Sequence, residues 1–552
     1  MKVKFLIYFL VGLSIWLLAA CIQPEPRSNN GAPTRTINLC NPSDGVQCYP
    51  SPDQQWAAEM NPTKGSLSLN AAGKATTLFP PGSTVNHVTW APDGQHLLVV
   101  LTNAYVDPKS QTFRNTKPVQ IWQIDLAAQT IGQPHLVFTS PGLYSPEDII
   151  FGQWSPNGRY LLFGIDPSMS ASALSDGAPL RLLDVKTGKT QLLMGDGSIE
   201  KSRGLLNPRY QSWSPDSARL AITLGGYRSA QVRKWLGIFD PGSGQMNVVI
   251  SDSEQIPGIV AWSPRGDQIA YAAVLASQTG EEWADLMTFA NPAIAGRRID
   301  LLNPNTGQHH RLNAIDAFQD APVWSNDGRT LYYVQRDGDV TRLLAADPAT
   351  GEGKVVEGSQ RPAPTGVGYY GQSQWDDLLA YRPDAPRAAL PALTQIYTDT
   401  AHGFTLRYPT GWAVADGWQA LGQWSAMSTL QPTAQLPTEL DIFHDVLLPF
   451  SGQAVIGIEM TQSQQANLDA VVAQLLTSPG PGQYIEPEQQ LIPYHQKKYT
   501  LATRPALRLD TVDSFGLVNH LLLVLDGQQA LILRGVGDGR LFDAIVETLH
   551  LP

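Results

Sequence analysis

Few residues in the chain have a type and spacing suited to chemistry. His309-His310 is the only adjacent histidine pair. Neighbours on a strand face opposite sides, so the two do not converge on one metal and read as an exposed hairpin turn. Asp376-Asp377 has the composition of an acid–base pair, but it stands in a slot that other copies of a repeat give to a tight turn, and it is read as turn chemistry. No G-x-S-x-G elbow occurs in the last 160 or so residues, which are also too few for an α/β-hydrolase domain. There is no H-E-x-x-H zinc helix, no G-x-x-x-x-G-K-[ST] phosphate loop and no calcium-loop spacing of acids. The chain is therefore read as non-enzymatic, with no metal and no cofactor. Of the three cysteines, Cys40 and Cys48 flank Asn41-Pro42-Ser43-Asp44-Gly45. In an exported protein two thiols so placed suit a small disulfide loop, whereas a metal site would lack further ligands.

The elements that carry these residues follow from composition. The chain has 552 residues, enough for three or four domains at ~100–200 residues each unless one is a large all-β unit. Apolar residues make up 43% and charged residues 16%, and the 48 Gly and 42 Pro imply many turns. A net charge of −11 without basic clusters argues against nucleic acid as a partner. Lys2 and Lys4 precede an apolar run from Phe5 to Ala20, shorter than the ~20 residues of a spanning helix and suited to a signal h-region. The run ends in Leu18-Ala19-Ala20-Cys21, which resembles the lipobox of bacterial lipoproteins. That resemblance implies cleavage after residue 20, lipidation of Cys21, and an extracytoplasmic protein anchored to the cell membrane by lipid; the alternative is an uncleaved anchor. Residues 22–64, rich in Pro, Asn, Ser, Gly and Gln, read as a disordered tether.

From there a unit repeats. Trp90-Ala91-Pro92-Asp93-Gly94, Trp154-Ser155-Pro156-Asn157-Gly158, Trp213-Ser214-Pro215-Asp216, Trp262-Ser263-Pro264-Arg265-Gly266 and Trp324-Ser325-Asn326-Asp327-Gly328 each precede an apolar run, and Trp375-Asp376-Asp377 is a worn copy. Pro presets φ at the first turn corner, Asp or Asn bonds the local backbone, and Gly supplies positive φ. Each copy is thus strand, turn, strand, with the Trp packing between neighbours. A second hairpin recurs in the gaps, as at Leu182–Gly188 and Ile238–Gly244. Four strands per unit make a propeller blade. Ser66–Phe79 has the same layout and is expected to complete the blade begun at Trp375, closing the ring with strands from both ends of the sequence. The repeats resemble the TolB-type propeller over residues 65–390. The resemblance implies a mainly β, six-bladed β-propeller, and is nearly silent on function because related repeats serve both envelope scaffolds and prolyl oligopeptidase-like hydrolases.

Beyond Pro391 the pattern changes. His402–Trp412, Val455–Met460, Arg504–Leu509, Asn519–Leu525 and Gln529–Arg534 read as strands, and Asn467–Leu476 and Leu541–Leu549 carry apolar residues at helical spacing. This predicts a smaller α+β domain, an antiparallel sheet with covering helices. Residues 395–552 resemble PsbP-like domains, which implies a binding or assembly module.

Long links between hairpins offer the binding surface: Asn103–Pro118, Asp166–Pro179, Gly225–Lys234 and, longest, Ala276–Arg297. The last carries Glu281, Glu282, Trp283, Leu286, Met287 and Phe289, an acidic pair beside clustered apolar residues. It reads either as a docking patch or as a flap packed on its own blade. Arg228, Arg233, Lys234 and Trp235 form a smaller basic-aromatic cluster that suits an anionic partner or simply solvated surface. The leading expectation is an extracytoplasmic scaffold that binds an envelope protein. The rival is a glycan or small-ligand binder using the propeller funnel and some of the fourteen Trp, and a hydrolase is the third reading.

Overall fold

The structure is a computed structural model. It describes residues 46–61, 64–71, 73–102, 104–106, 113–115, 117–127, 130–140, 148–166, 178–193, 203–204, 208–225, 232–279, 289, 291–367, 373–387, 389–400, 402–409, 412–416, 440–444, 455–462, 467–477, 491–514, 516–527 and 529–552. Among them, six four-stranded antiparallel meanders follow one another, the blades of a mainly β propeller. Blade one runs from Gln47–Pro50 to Lys74–Phe79, and blade two from Val85–Trp90 to His135–Thr139. Blade three spans Asp148–Trp154 to Lys189–Leu192, and blade four Gln211–Trp213 to Gln245–Ile250. Blade five spans Gln255–Trp262 to His309–Arg311, and blade six Phe318–Trp324 to Gly353–Val355. The short strand Arg203–Gly204 pairs with both blade three and blade four and joins their sheets.

One turn builds all six blades. The residue in its second position donates its backbone N–H to the carbonyl five residues on, from Ser51 to Trp56, Ser155 to Tyr160, Ser214 to Arg219, Ser263 to Gln268 and Ser325 to Thr330, with Ala91 to His96 in the same role. The last turn position takes positive φ in every copy, whether it is Gly94, Gly158, Gly266 and Gly328 or the non-glycine residues Gln54 and Ser217. Serine hydroxyls donate to the acid or amide two residues on, at 2.6 Å for Ser51–Asp53, 2.7 Å for Ser155–Asn157 and 2.7 Å for Ser325–Asp327. Pro50-Ser51-Pro52-Asp53-Gln54 is therefore a full copy of the turn with Pro in the Trp position.

This corrects two expectations. Ser66–Ala71 pairs with Ala57–Asn61, which pairs with Gln47–Pro50, so Ser66–Phe79 belongs to its own first blade and does not complete a blade begun at Trp375. Residues from Gln47 onward, assigned to the tether, are strand. Trp375 for its part begins no hairpin. It precedes a four-residue helix, Asp376–Leu379, in place of a turn. The blade count of six stands, with the first unit moved to the front of the sequence.

Apolar clusters fill each seam between consecutive blades, from the Trp56–Leu69–Trp90 group between blades one and two to the Leu301–Trp324–Leu344 group between five and six. Strands such as Leu220–Leu224 are buried along their whole length because a blade packs on each face. Each fully buried large apolar side chain contributes roughly 1.5–3 kcal/mol. All six repeat Trp are buried. Trp90 Nε1 donates to the Tyr49 carbonyl, Trp154 Nε1 to Thr89 Oγ1 and Trp324 Nε1 to the Ala261 carbonyl. In these three the acceptor is the residue just before the preceding blade's Trp position, which fixes register there, whereas Trp213 and Trp262 have a buried Nε1 without a hydrogen bond and hold their seams by packing.

The C-terminal domain is the expected α+β layer. Its sheet has seven strands, in the order Trp412–Asp416, Leu440–His444, Val455–Gln462, Gln529–Val536, Val518–Asp526, Arg504–Val512 and Ile492–Leu501. Helix Gly539–Val546 is capped by Asp538, whose carboxylate accepts from Arg540 N, and buries Leu541, Phe542 and Ile545 against Leu522 and Leu533. Helix Leu468–Thr477 covers the other face through Leu468 and Val471 against Leu507 and Leu523. The domain docks beside blade six, where Gly366 N donates to the Ser514 carbonyl at 2.8 Å. A Cβ on Gly516, whose φ is +92°, would meet the Gln374 carbonyl at 2.8 Å, so only glycine lets the two segments approach this closely.

Candidate functional site

The longest link leaves blade five after Ile269–Leu275 through a short 3-10 turn, Ala276–Gln278, and returns at Phe289. Asn291 Oδ1 accepts from Ala293 N at 2.8 Å and Pro292 occupies the first helical position, which starts the turn of helix Pro292–Ala295 before the backbone re-enters the blade at Arg298. A Cβ on Gly296 would lie 2.7 Å from Gln278 Oε1 and 2.7 Å from the Pro292 carbonyl. That glycine lets the outgoing and incoming arms of the link meet.

Where they meet, an open groove of about 440 Å³ lies across blades five and six. Gln278 and Pro292 form one side, Asp316 and Phe318 another, and Arg298 and Arg336 bring two guanidinium groups to the same space. Arg298 is committed: Nη1 donates to the Ala295 carbonyl at 2.7 Å and the Arg297 carbonyl at 2.9 Å, and Nη2 pairs with the exposed Asp316. Arg336 is not committed. Its guanidinium carbon lies 4.2 Å from the centre of the Phe289 ring, and Phe289 stands edge-on to Phe318 at 5.0 Å. Its Nε is buried without a hydrogen-bond partner. Burial lowers the Arg336 pKa from its ordinary value, with the charge of Asp339 opposing. Among the described residues the groove lining contains no Ser, Cys, His or Lys, and its cationic groups are Arg298 and Arg336.

The sequence-derived patch is only partly visible here. Glu281, Glu282, Trp283, Leu286 and Met287 lie outside the described residues. Phe289 is buried, the support on which Arg336 stacks. Arg298, Asp316 and Arg336 were missed in the sequence. The available signal was an Arg following the buried run Leu331–Gln335. In the second cluster Arg228 lies outside the described residues, Arg233 is exposed, Lys234 is fully buried and Trp235 packs partly against the core between blades three and four. Burial of Lys234 divides this cluster rather than presenting it as one basic surface. Cys21 and Cys40 lie outside the described residues, and Cys48 is disulfide-bonded.

Among the described residues, the buried charged groups near blade six are paired. Arg297 Nη1 donates to Asp320 Oδ2 at 2.9 Å with both side chains buried, and Trp375 Nε1 donates to the same oxygen at 3.2 Å. Arg361 Nε lies 2.9 Å from Asp377 Oδ2, and Nη2 donates to Asp377 Oδ1 and to the Gln374 carbonyl. Asp376, the other half of the acidic pair, is bonded by Arg209. The pair thus makes structural bridges, not turn hydrogen bonds. In the C-terminal sheet Asp510 is bonded by Arg508 Nη1 at 2.6 Å and stands 2.6 Å from His520 Nδ1. Burial opposes ionisation of Asp510, but the bond from His520 and the charge of Arg508 outweigh it and hold its pKa down at about 2. His309 Nε2 stands 3.1 Å from Glu254 Oε1. Among the described residues no group of three His, Cys, Asp or Glu could hold a metal ion, and no helix is long and apolar enough to cross a membrane.

No protein-family model matches the chain, and no curated protein matches it in sequence. Among solved structures it is similar to TolB from Acinetobacter baumannii at 15% identity, covering 59% of this chain and 66% of that one, with a TM-score of 0.26. A putative TolB from Agrobacterium tumefaciens gives 15% identity over 54% of this chain and 88% of that one, with a TM-score of 0.28. Porphyromonas gingivalis dipeptidyl peptidase 4 gives 10% identity over 90% of this chain and 67% of that one, with a TM-score of 0.37. The protein thus spans just under two thirds of the length of the first of these. The fold rests on the six repeated sheets themselves.

Proposed function

We propose that the protein is a non-enzymatic binding scaffold of the cell envelope, held outside the cytoplasm by lipid on Cys21, that engages a partner protein through the blade five–six surface. The supporting observation is the groove where the described ends of the Ala276–Arg297 link meet: a built concavity in which Arg336 has no ion pair among the described residues and its Nε no hydrogen bond. The C-terminal α+β domain, whose sequence resembles PsbP-like modules, supplies a second contact surface. Among the Trp side chains that the structure describes none is exposed, so the glycan reading gains nothing from them.

Crosslinking the anchored protein in its own envelope, followed by mass spectrometry, tests this reading. A parallel strain has residues 280–288 replaced by a short Gly-Ser link. A partner captured by the intact protein and lost from the trimmed one is the expected result. The same partners in both strains, or none in either, would refute it. Cys21→Ser is expected to move the protein from the membrane fraction to the soluble fraction, and retention in the membrane would refute lipid anchoring.

A further inference from the structure

We infer that the blade five–six groove is a carboxylate-binding site in which Arg336 receives the carboxylate of a partner's peptide segment and the Phe318 side takes an adjoining apolar group. The identity of the carrier, a peptide, rests on the scaffold reading above; the carboxylate chemistry rests on the groove alone.

Three observations lead to it. First, Arg336 differs from its neighbours. Arg297, Arg298 and Arg361 each hold a carboxylate, at Asp320, Asp316 and Asp377. Among the described residues Arg336 has no ion pair: a ring lies beneath it, Asp339 acts on it only through its charge, and its buried Nε makes no hydrogen bond, which is also true of Arg361 Nε. Arg336 is half-buried, and the planar fork of donors of a guanidinium without an acceptor matches a carboxylate in two-point geometry. Second, Arg336 lines an open concavity, so an external acceptor can reach it. Third, the surroundings are mixed in a useful way. Phe318 and Pro292 offer apolar wall beside the charge, while Asp316 is already neutralised by Arg298. Ile315, next to Asp316, is 44% exposed and leaves apolar surface close to the rim. A carboxylate joined to an apolar side chain fits this arrangement better than a compact, strongly hydrated anion, which gains nothing from the aromatic wall.

The test is a calorimetric titration of the full-length protein with four probes: N-acetyl-phenylalanine, N-acetyl-phenylalanine amide, N-acetyl-glutamyl-phenylalanine amide and inorganic phosphate. At least one carboxylate probe is expected to bind about tenfold or more tightly than the neutral amide, as for a charge-assisted bidentate pair. Tighter N-acetyl-phenylalanine assigns a terminal peptide carboxylate as the ligand; a tighter glutamyl probe assigns an internal acidic residue. Arg336→Gln is expected to bring the carboxylate probes down to the amide, Arg336→Lys to restore part of the difference, and Arg329→Gln, on an exposed turn, to change nothing. Equal binding of acid and amide by the unaltered protein, binding of phosphate as tight as the carboxylates, or unchanged affinity in a folded Arg336→Gln would each overturn the assignment. The comparison of acid with amide needs no variant, so a misfolded substitution leaves the test intact. A partner lost on trimming residues 280–288 while acid and amide bind alike would refute this assignment and leave the scaffold reading standing. Selective carboxylate binding with no partner captured would do the reverse.

Discussion

The two ends of the repeat array are worn in opposite ways. The first unit has lost its Trp, with Pro50 in that place, yet it keeps every backbone bond of the turn and forms a complete blade. The last unit keeps its Trp, fully buried, but Trp375 is followed by Asp-Asp and a short helix, and no blade forms. The turn therefore specifies the blade, and the Trp specifies the seam. Trp375 still covers blade six, but out of the repeat's register: it packs against Phe318 and donates to the Asp320 carboxylate, four residues before Trp324, where a following blade's Trp would meet Val323. The C-terminal sheet then supports this side. The phenols of Tyr381 and Tyr494 lie within the field of Arg361, Asp377 and Asp510, and burial together with those carboxylates raises both pKa values.

This contrast can be broken most directly at Trp375. Trp375→Ala is expected to cost about 3–5 kcal/mol, the usual range for a buried Trp, and also leaves Asp320 short of a donor. Urea unfolding checks it; a cost near zero would mean that the last unit seals nothing. A second effect concerns the sheet that supports this end. The Asp510 carboxyl, ordinarily at 3.8, is depressed to about 2 in the folded protein. Its contribution is complete above about pH 4 and is lost as pH falls to 2, about 2 kcal/mol in all. Thermal unfolding of the unaltered protein is expected to show that loss across the window, and Asp510→Asn to lack it.

The first unit gives smaller effects. Ser51→Ala removes the hydroxyl that donates to Asp53 and accepts from Trp56 N, and is expected to cost about 1 kcal/mol. Gln54→Gly relieves a non-glycine residue at φ +58° and is expected to add about 0.5–1 kcal/mol. If instead Gln54→Gly proved destabilising, positive φ would not be what the fifth turn position selects.

The sequence made most of this architecture legible. Five turns and most of the strand and helix pattern of the C-terminal domain follow from side-chain type and spacing, and the count of six came out right because the unit wrongly placed at Trp375 stood in for the one missed at Pro50. What was missed has a common cause. A search anchored on Trp overlooked Pro50-Ser51-Pro52-Asp53, where the specifying bonds are backbone bonds that Pro at the strand end does not disturb. The same anchor promoted Trp375, whose side chain matches the repeat while its following residues favour a helix start. The groove was harder to see. Arg298, Asp316 and Arg336 come from three separate stretches, and only folding shows that one Arg is paired and another is not. The described ends of the link that carries Glu281 and Glu282 line the groove, and Phe289, read either as docking surface or as part of a flap packed on its own blade, is buried, as the second of these readings expects.

Among the described residues, blade six thus has one side where buried Arg361 meets a carboxylate and one groove where half-buried Arg336 does not. The most direct test compares Arg361→Met with Arg336→Met in the full-length protein by urea unfolding. Removing one partner of a buried pair costs about 3–5 kcal/mol, whereas an apolar group in place of an unpaired charge is nearly neutral or stabilising. The account predicts a large loss for Arg361→Met and no loss, or a gain, for Arg336→Met. Equal losses in the two variants would contradict it, since Arg336 would then be a structural ion-pair member and not a group held open for a ligand.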